Sequence, residues 1–345
     1  MSYSFIDGHN DTILRVEDTT ELLKGNEHTH IDLPRAKKSM MKAGFFAMFS
    51  PSPEGMPPFE ECKTDNGYEF PLPDPLPIES SQPTTHRLFS RLIKAERESD
   101  GGVKLIRSVE DLEDCLHTDQ FGAIAHIEGA ESIDAELNAL DVYYEAGLRS
   151  LGIVWSRQNL FGTGVPYHFP SSPDIGEGLT DLGKALVKKC NELGIMLDLS
   201  HLNEKGFWDV AKYSSAPLVA THSNVHSLCP ISRNLTDQQI DAIGNSNGVV
   251  GITYVVNMLR EDGGIDADIP LTSITKHIHY VIDRIGIDHV VLGSDFDGAT
   301  IPEAMKDITG VPLLLEQLRQ EGLSEEDISK ITYRNWIRVL QSTWK

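Results

Sequence analysis

The sequence predicts an α/β protein: a TIM-like (β/α)8 barrel, distorted, with a Pro-rich insertion after its second strand. Three observations carry this. Eight short runs rich in apolar and β-branched residues punctuate the 345 residues, most of them separated by segments of helical period. Five of those runs end in side chains of the kind that bind metals, spread from residue 9 to residue 297, and a barrel of parallel strands collects strand ends at one face. No glycine-rich phosphate turn follows an early strand, as an open doubly wound sheet would require.

Taken in order, the strand runs cover residues 4–7, 43–49, 122–127, 150–155, 194–199, 217–221, 248–255 and 289–293. The clearest helix covers 180–193. Thr180 can cap it, Leu182, Ala185, Leu186 and Leu193 fall on one side, and Gly194 stops it. Residues 272–285 repeat the pattern, with Ile274, Ile278, Val281 and Ile282 apolar and Gly286 at the end. Ser324 caps a helix that opens Glu325-Glu326-Asp327. Residues 51–83 break the alternation: they hold nine of the chain's 18 prolines and little periodicity. They follow the second strand and so emerge at the face where ligands gather. A surface insertion in irregular or polyproline conformation is the plain reading; a lid or an oligomer contact is the functional one. No domain boundary, internal repeat or low-complexity tract is visible, so residues 1–345 read as one barrel domain.

Composition narrows the partners. Hydrophobic content of 40% and charged content of 24% are those of a soluble globular chain. A formal charge of −22 argues against a nucleic-acid groove or an anionic membrane surface. Cys62, Cys115, Cys190 and Cys229 are far apart, form no CxxC pair and read as reduced thiols. The first residues lack a basic and a long apolar segment, no stretch approaches the ~18 apolar residues of a membrane span, and the last residues carry no anchor tail. A cytoplasmic protein is the expectation.

The strand ends carry the chemistry. His9 and Asp11 stand at alternate positions where the first strand ends, so both can reach one ion over the barrel mouth. His201 and His222 close the fifth and sixth strands, and neutral imidazole suits zinc and similar borderline ions. Glu128 ends the third strand, and its two oxygens can bridge two cations. One metal would then be held by His9, Asp11 and Glu128, and a second by Glu128, His201 and His222. Asp295 ends the eighth strand beside the expected site and is the candidate acid/base; Asp297 reads as a further ligand or a cap. His126 shares a strand face with Glu128 and reads as its neighbour rather than a ligand.

The strings Gly8-His9-Asn10-Asp11, Glu128-Gly129, Asp198-Leu199-Ser200-His201, Thr221-His222-Ser223, Ser232-Arg233-Asn234 and Gly293-Ser294-Asp295-Phe296-Asp297-Gly298 occur in an order that resembles the renal, or membrane, dipeptidase family of metallopeptidases in the amidohydrolase superfamily. Each string is short; jointly they are specific, and the resemblance weakens only across the Pro-rich insertion. It implies a two-zinc site bridged by Glu128, a hydroxide between the metals as nucleophile, and Arg233 on the substrate's C-terminal carboxylate. A planar guanidinium suits that last role. It also implies a dipeptide substrate, with tolerance for a D-residue at the second position, and places Tyr254 where the family presents a substrate-contacting tyrosine. In one place the chain departs from the family. Where mammalian members carry a histidine after the fourth strand, this chain has Trp155, which donates one N–H and cannot titrate. Polarisation of the scissile carbonyl would fall on the metal, or on Arg157 or His168, and Trp155 would donate to an oxyanion or wall the pocket. Trp155 keeps open a second hydrolytic reading, cleavage of N-acyl amino acids, lactones or cyclic amides. A metal-binding module without catalysis is the third. Zinc is the metal that three histidines with carboxylates favour, and manganese, cobalt or iron suit similar donors. A homo-oligomer is compatible with everything above.

Overall fold

The computed structural model describes residues 3–345. Its strands are β1 (Phe5–Asn10), β2 (Met41–Phe49), β3 (Lys63–Thr64), β4 (Gly67–Glu69), β5 (Val103–Leu105), β6 (Phe121–Glu128), β7 (Leu148–Gly152), β8 (His168–Phe169), β9 (Met196–Asp198), β10 (Val219–Ser223), β11 (Val249–Ile252) and β12 (Val290–Leu292). Eight of them stand in the order β1-β2-β6-β7-β9-β10-β11-β12, each parallel to its neighbours. The circle closes just beyond β12. Asp295 N–H donates to the His9 carbonyl at 3.0 Å, Asp11 N–H donates to the Phe296 carbonyl at 2.8 Å, and Ser294 N–H donates to Asp7 Oδ1 at 2.8 Å. This is the nearly closed parallel barrel that the alternation predicts.

All eight predicted runs overlap a barrel strand. Two stop early. The fourth ends at Gly152, because beyond it the backbone turns to the loop after β6: Gly129 N–H donates to the Gly152 carbonyl and Ala130 N–H to that of Ile153, both at 3.1 Å. Ile153 and Val154 are buried although they belong to a loop, so their apolar character reads falsely as strand. The seventh ends at Ile252. The short β5 was not expected. It pairs with the first residues of β6, while β7 takes Ala125 to Glu128 on the same edge, so β6 serves two partners along its length.

Helices form where caps and spacing agree. Asp181–Leu193 starts with Thr180 accepting from Gly183 N–H at 3.0 Å and ends on Gly194 in the left-handed region, φ 77°. Its buried side is Gly183, Leu186, Val187 and Cys190; Ala185, expected to face inward, is exposed. Thr272–Ile285 buries Ile274, Ile278 and Val281 and stops at Gly286, φ 96°. Ser324 and Asp327 form a reciprocal capping box.

The insertion is more structured than an irregular loop. It holds a 3-10 turn (Phe59–Cys62), the β3–β4 hairpin, and the first residues of the helix Ile78–Glu98, which continues through Pro83. β4 pairs antiparallel with β8, Tyr68 opposite Phe169 and Glu69 opposite His168. Tyr68 is buried with Phe169, Cys229, Ile231, Val255 and Met258. The insertion is thus packed on the loops at the ligand-bearing end of the barrel.

The opposite end is plugged. Ile6, Phe45, Ile124, Met196, Val219, Val249 and Val291, one from each of seven strands, cluster with Trp336 and Leu340 of the last helix, Asn335–Thr343. Trp336 reaches the barrel axis: a Cβ on Gly8 would lie 2.6 Å from its Cζ2, 2.8 Å from the Leu292 carbonyl oxygen and 2.9 Å from that of Thr221. Trp344 is also buried but lies just past that helix, and Trp208 is exposed. Within the described residues no helix is long and apolar enough to cross a membrane. All four cysteines are buried and unpaired.

Candidate metal centre

β1 delivers His9, and Asp11 just beyond it, to the open end, β6 delivers Glu128, the turn after β9 delivers His201 and β10 itself delivers His222. Five side chains far apart in sequence meet there. Glu128 Oε1 lies 3.5 Å from His9 Nε2, 3.1 Å from His201 Nε2 and 3.4 Å from His222 Nε2. His9 Nε2 is 3.8 Å from Asp11 Oδ2 and 3.9 Å from Asp295 Oδ1. His9, Asp11 and Glu128 form one set of converging donor atoms, and Glu128, His201 and His222 form another.

The backbone is bent to present them. His201 at φ 67°, Asp295 at φ 61° and Asp297 at φ 68° occupy the left-handed region that non-glycine residues seldom adopt. Neighbouring bonds fix the imidazoles. His201 Nδ1 meets Ser156 Oγ at 2.8 Å, and His222 Nδ1 meets Thr221 Oγ1 at 2.8 Å. Asp198 makes a third donor set with His9 and His222, but its oxygens are already engaged. Oδ1 accepts from Ser200 and Thr221 N–H at 3.0 and 2.8 Å, and Oδ2 accepts from Thr221 Oγ1 at 2.6 Å. It serves the arrangement by fixing Thr221 and, through it, His222.

The donor set fits a divalent cation. Both ring nitrogens of His9 are buried without a hydrogen-bond partner. Burial holds His201 and His222 well below the usual histidine range, so both keep the neutral lone pair that a metal takes. Burial opposes charge on His9 too, yet Glu128, Asp11 and Asp295 outweigh it and push its pKa up to about 10. Burial drives Glu128 well above the carboxylate range and Asp295 up to about 6. The carboxylates therefore call for positive charge among them, which a proton on His9 supplies only in part.

A cavity opens over this cluster, lined by Asp11, Glu128, His201 and Asp295 together with Leu14, Arg15, Phe49, Trp155, Tyr167 and Gly298. Trp155 lies 4.8 Å from the Phe49 ring and 5.8 Å from that of His201, as a wall. Arg157 does not reach the cavity: its guanidinium lies over the Trp155 ring at 5.2 Å and donates to the Ser50 carbonyl and Ser52 Oγ at 3.0 and 2.8 Å. Arg233 is buried. One amino group donates to the His222 carbonyl at 3.3 Å, and Nε has no partner. His168 lies aside from the cavity, paired with the insertion, its Nδ1 3.9 Å from Glu69 Oε1. Tyr254 is buried against Phe296 at 5.6 Å, also outside the lining. His126 is buried beneath, its Nδ1 2.8 Å from Ser150 Oγ and its pKa lowered by burial to about 3. Among the polar lining residues, Tyr167 and Arg15 were not singled out in the sequence. Tyr167 packs edge-on to His201, and no metal-type pattern marks the loop that carries it.

Comparison with known proteins decides the family. The family model described as membrane dipeptidase, peptidase family M19, matches residues 2–345. The chain belongs to the membrane dipeptidase family, M19. This makes it a metallo-dipeptidase, a hydrolase of peptide bonds. The fold is similar to that of a metallopeptidase from Rhodobacter sphaeroides solved with a phosphinate mimic of the dipeptide L-Ala-D-Ala. That match has 44% identity, covers 100% of both chains and has a TM-score of 0.96. A dipeptidase AC of family M19 is similar at 45% identity, covering 100% of this chain and 99% of its own, with a TM-score of 0.94. A Klebsiella pneumoniae protein known only by its place in the pqqA 5′ region is 49% identical over 72% of this chain and 91% of its own length.

Proposed function

We propose that this chain hydrolyses dipeptides at a binuclear metal centre, most naturally zinc, and accepts a D-residue at the second position. The observation that carries the proposal is the place of Glu128 Oε1, within 3.5 Å of three imidazole nitrogens belonging to two donor sets. His9 and Asp11 would complete one metal's protein ligands, His201 and His222 the other's, with Glu128 common to both. Bound there, paired divalent cations would lower a water's pKa towards about 7 and polarise the scissile carbonyl.

The residues of the chain divide the remaining work. Asp295 takes a proton from the attacking water and passes it to the leaving amine; its backbone N–H, held by the His9 carbonyl, fixes it beside the cluster. Arg233, a buried guanidinium with no carboxylate within 4 Å among the described residues, takes the substrate's C-terminal carboxylate. That requirement restricts the site to short substrates. Trp155 and Tyr167 wall the cavity and keep bulk water from the reacting carbonyl. Acceptance of a D-residue rests on the L-Ala-D-Ala mimic held by the Rhodobacter relative. The buried, unpaired thiols suit a reducing compartment, so we place the enzyme in the cytoplasm.

The test is a panel of L,L- and L,D-dipeptides beside N-acyl amino acids and lactones, assayed before and after chelation. Chelator-sensitive cleavage of dipeptides, with Arg233→Met lowering kcat/KM about 10²-fold, is expected. Turnover confined to lactones or N-acyl amino acids would favour the reading that Trp155 keeps open.

A further inference from the structure

Arg15 stands out in a chain with 30 basic and 52 acidic side chains. It is exposed, no carboxylate lies within 4 Å of it among the described residues, and no other arginine lines the cavity over the metal-type cluster. Its Nε donates to the Asp297 carbonyl at 2.8 Å, which fixes the guanidinium in place. Its two terminal amino groups make no hydrogen bond among the described residues. Arg15 lines the cavity over the metal-type cluster, and it also lines a second cavity of about 370 Å³ that shares Gly298 with the first.

The second cavity is short of negative charge. Its single carboxylate, Asp297, is engaged on both oxygens: Oδ1 accepts from His30 N–H at 2.7 Å and Oδ2 from Thr12 Oγ1 at 2.5 Å. His30 Nδ1 accepts from Asp297 N–H at 2.9 Å, so in the neutral ring the proton is on Nε2, a second donor in the wall. His28, on the rim, faces Glu21 at 3.4 Å. The annex thus offers an anchored guanidinium and an imidazole N–H, and its one carboxylate, Asp297, is already engaged.

We propose that Arg15 is a specificity-determining residue that receives an acidic side chain of the substrate, and that the side chain belongs to the amino-terminal residue of the dipeptide. This rests on the dipeptidase reading. Arg233 follows β10, three strands round the barrel from the β1 end that carries Arg15. A dipeptide with its C-terminal carboxylate at Arg233 and its carbonyl over the cluster extends its first residue towards Arg15. A planar guanidinium with two free amino groups pairs with carboxylate and makes a weaker bond to the isosteric amide.

The experiment compares Asp-Ala with Asn-Ala and Ala-Asp with Ala-Asn in the metal-loaded enzyme, its Arg15→Gln variant and its Arg15→Lys variant. Dissociation constants of the phosphinate mimics of Asp-Ala and Asn-Ala, measured by calorimetry, supply a readout independent of turnover. The expected result is a wild-type preference for Asp-Ala over Asn-Ala of about 10- to 100-fold in kcat/KM. Arg15→Gln should remove that preference and Arg15→Lys keep part of it, with the same order in the dissociation constants. Equal kcat/KM for Asp-Ala and Asn-Ala in the wild type, or a preference that survives Arg15→Gln, overturns the proposal. A preference confined to Ala-Asp overturns the assignment to the first residue. Failure to cleave any of the four peptides, with other dipeptides also intact, would count against the dipeptidase reading itself.

Discussion

Asp295 and His9 lie 3.9 Å apart, and they separate the two tasks of the site, moving a proton and holding a cation. Asp295→Asn keeps the side chain's size and removes its basicity. The expected outcome is unchanged metal content with kcat lower by about 10²- to 10⁴-fold, read by elemental analysis and initial rates on one sample. Near-normal turnover would remove Asp295 from the proton path. His9 gives a pH dependence. Without metal it holds a proton up to about pH 10, so a cation entering at neutral pH must displace that proton. Apparent affinity should therefore rise at least about tenfold for each pH unit between about pH 6 and 8, measured by competition with a chelator. Affinity independent of pH across that window would contradict the charge balance described. The ligand candidates were legible in the sequence because each closes an apolar run. Tyr167 and Arg15 were not, since each reaches the cavity from a loop or short turn whose path depends on tertiary packing.

The strands that carry those residues depend on close approach inside the barrel. Gly8 lies between His9 and the Trp336 plug, and a methyl group there would overlap the indole and two carbonyl oxygens. Gly8→Ala should lower unfolding free energy by about 1–3 kcal/mol or more, measured by denaturant titration, and loosen metal retention because β1 carries His9 and Asp11. Unchanged stability and metal content would show that β1 has more freedom than the packing indicates. Periodicity located every barrel strand, since a run buried on both faces stays apolar throughout. It overran at Ile153 and Val154, which are buried in a loop, and it passed over β3, β4, β5 and β8, whose two or three residues do not sit within longer apolar runs as those of β9 and β12 do. Proline content marked the insertion as irregular, but the pairing of Tyr68 with Phe169 is a long-range contact that no local pattern encodes.

For the whole molecule, the barrel solves one problem: it brings side chains from residue 9 to residue 295 within a few ångströms of one another while its far end is filled by Trp336 and its neighbours. The fold class was legible because alternation and strand-end chemistry pointed the same way. The tight closure of β12 on β1 was not, because it is made largely by backbone groups, which any sequence supplies, with Asp7 adding one side-chain acceptor. The central claim is that these side chains hold two cations that act together on a dipeptide. Metal-depleted enzyme titrated with zinc, with bound zinc per chain and L-Ala-D-Ala hydrolysis followed in the same samples, tests it most directly. The account predicts that binding saturates at about two zinc ions per chain and that full activity requires both. Saturation of activity at one ion, or undiminished hydrolysis by the depleted enzyme, would contradict it.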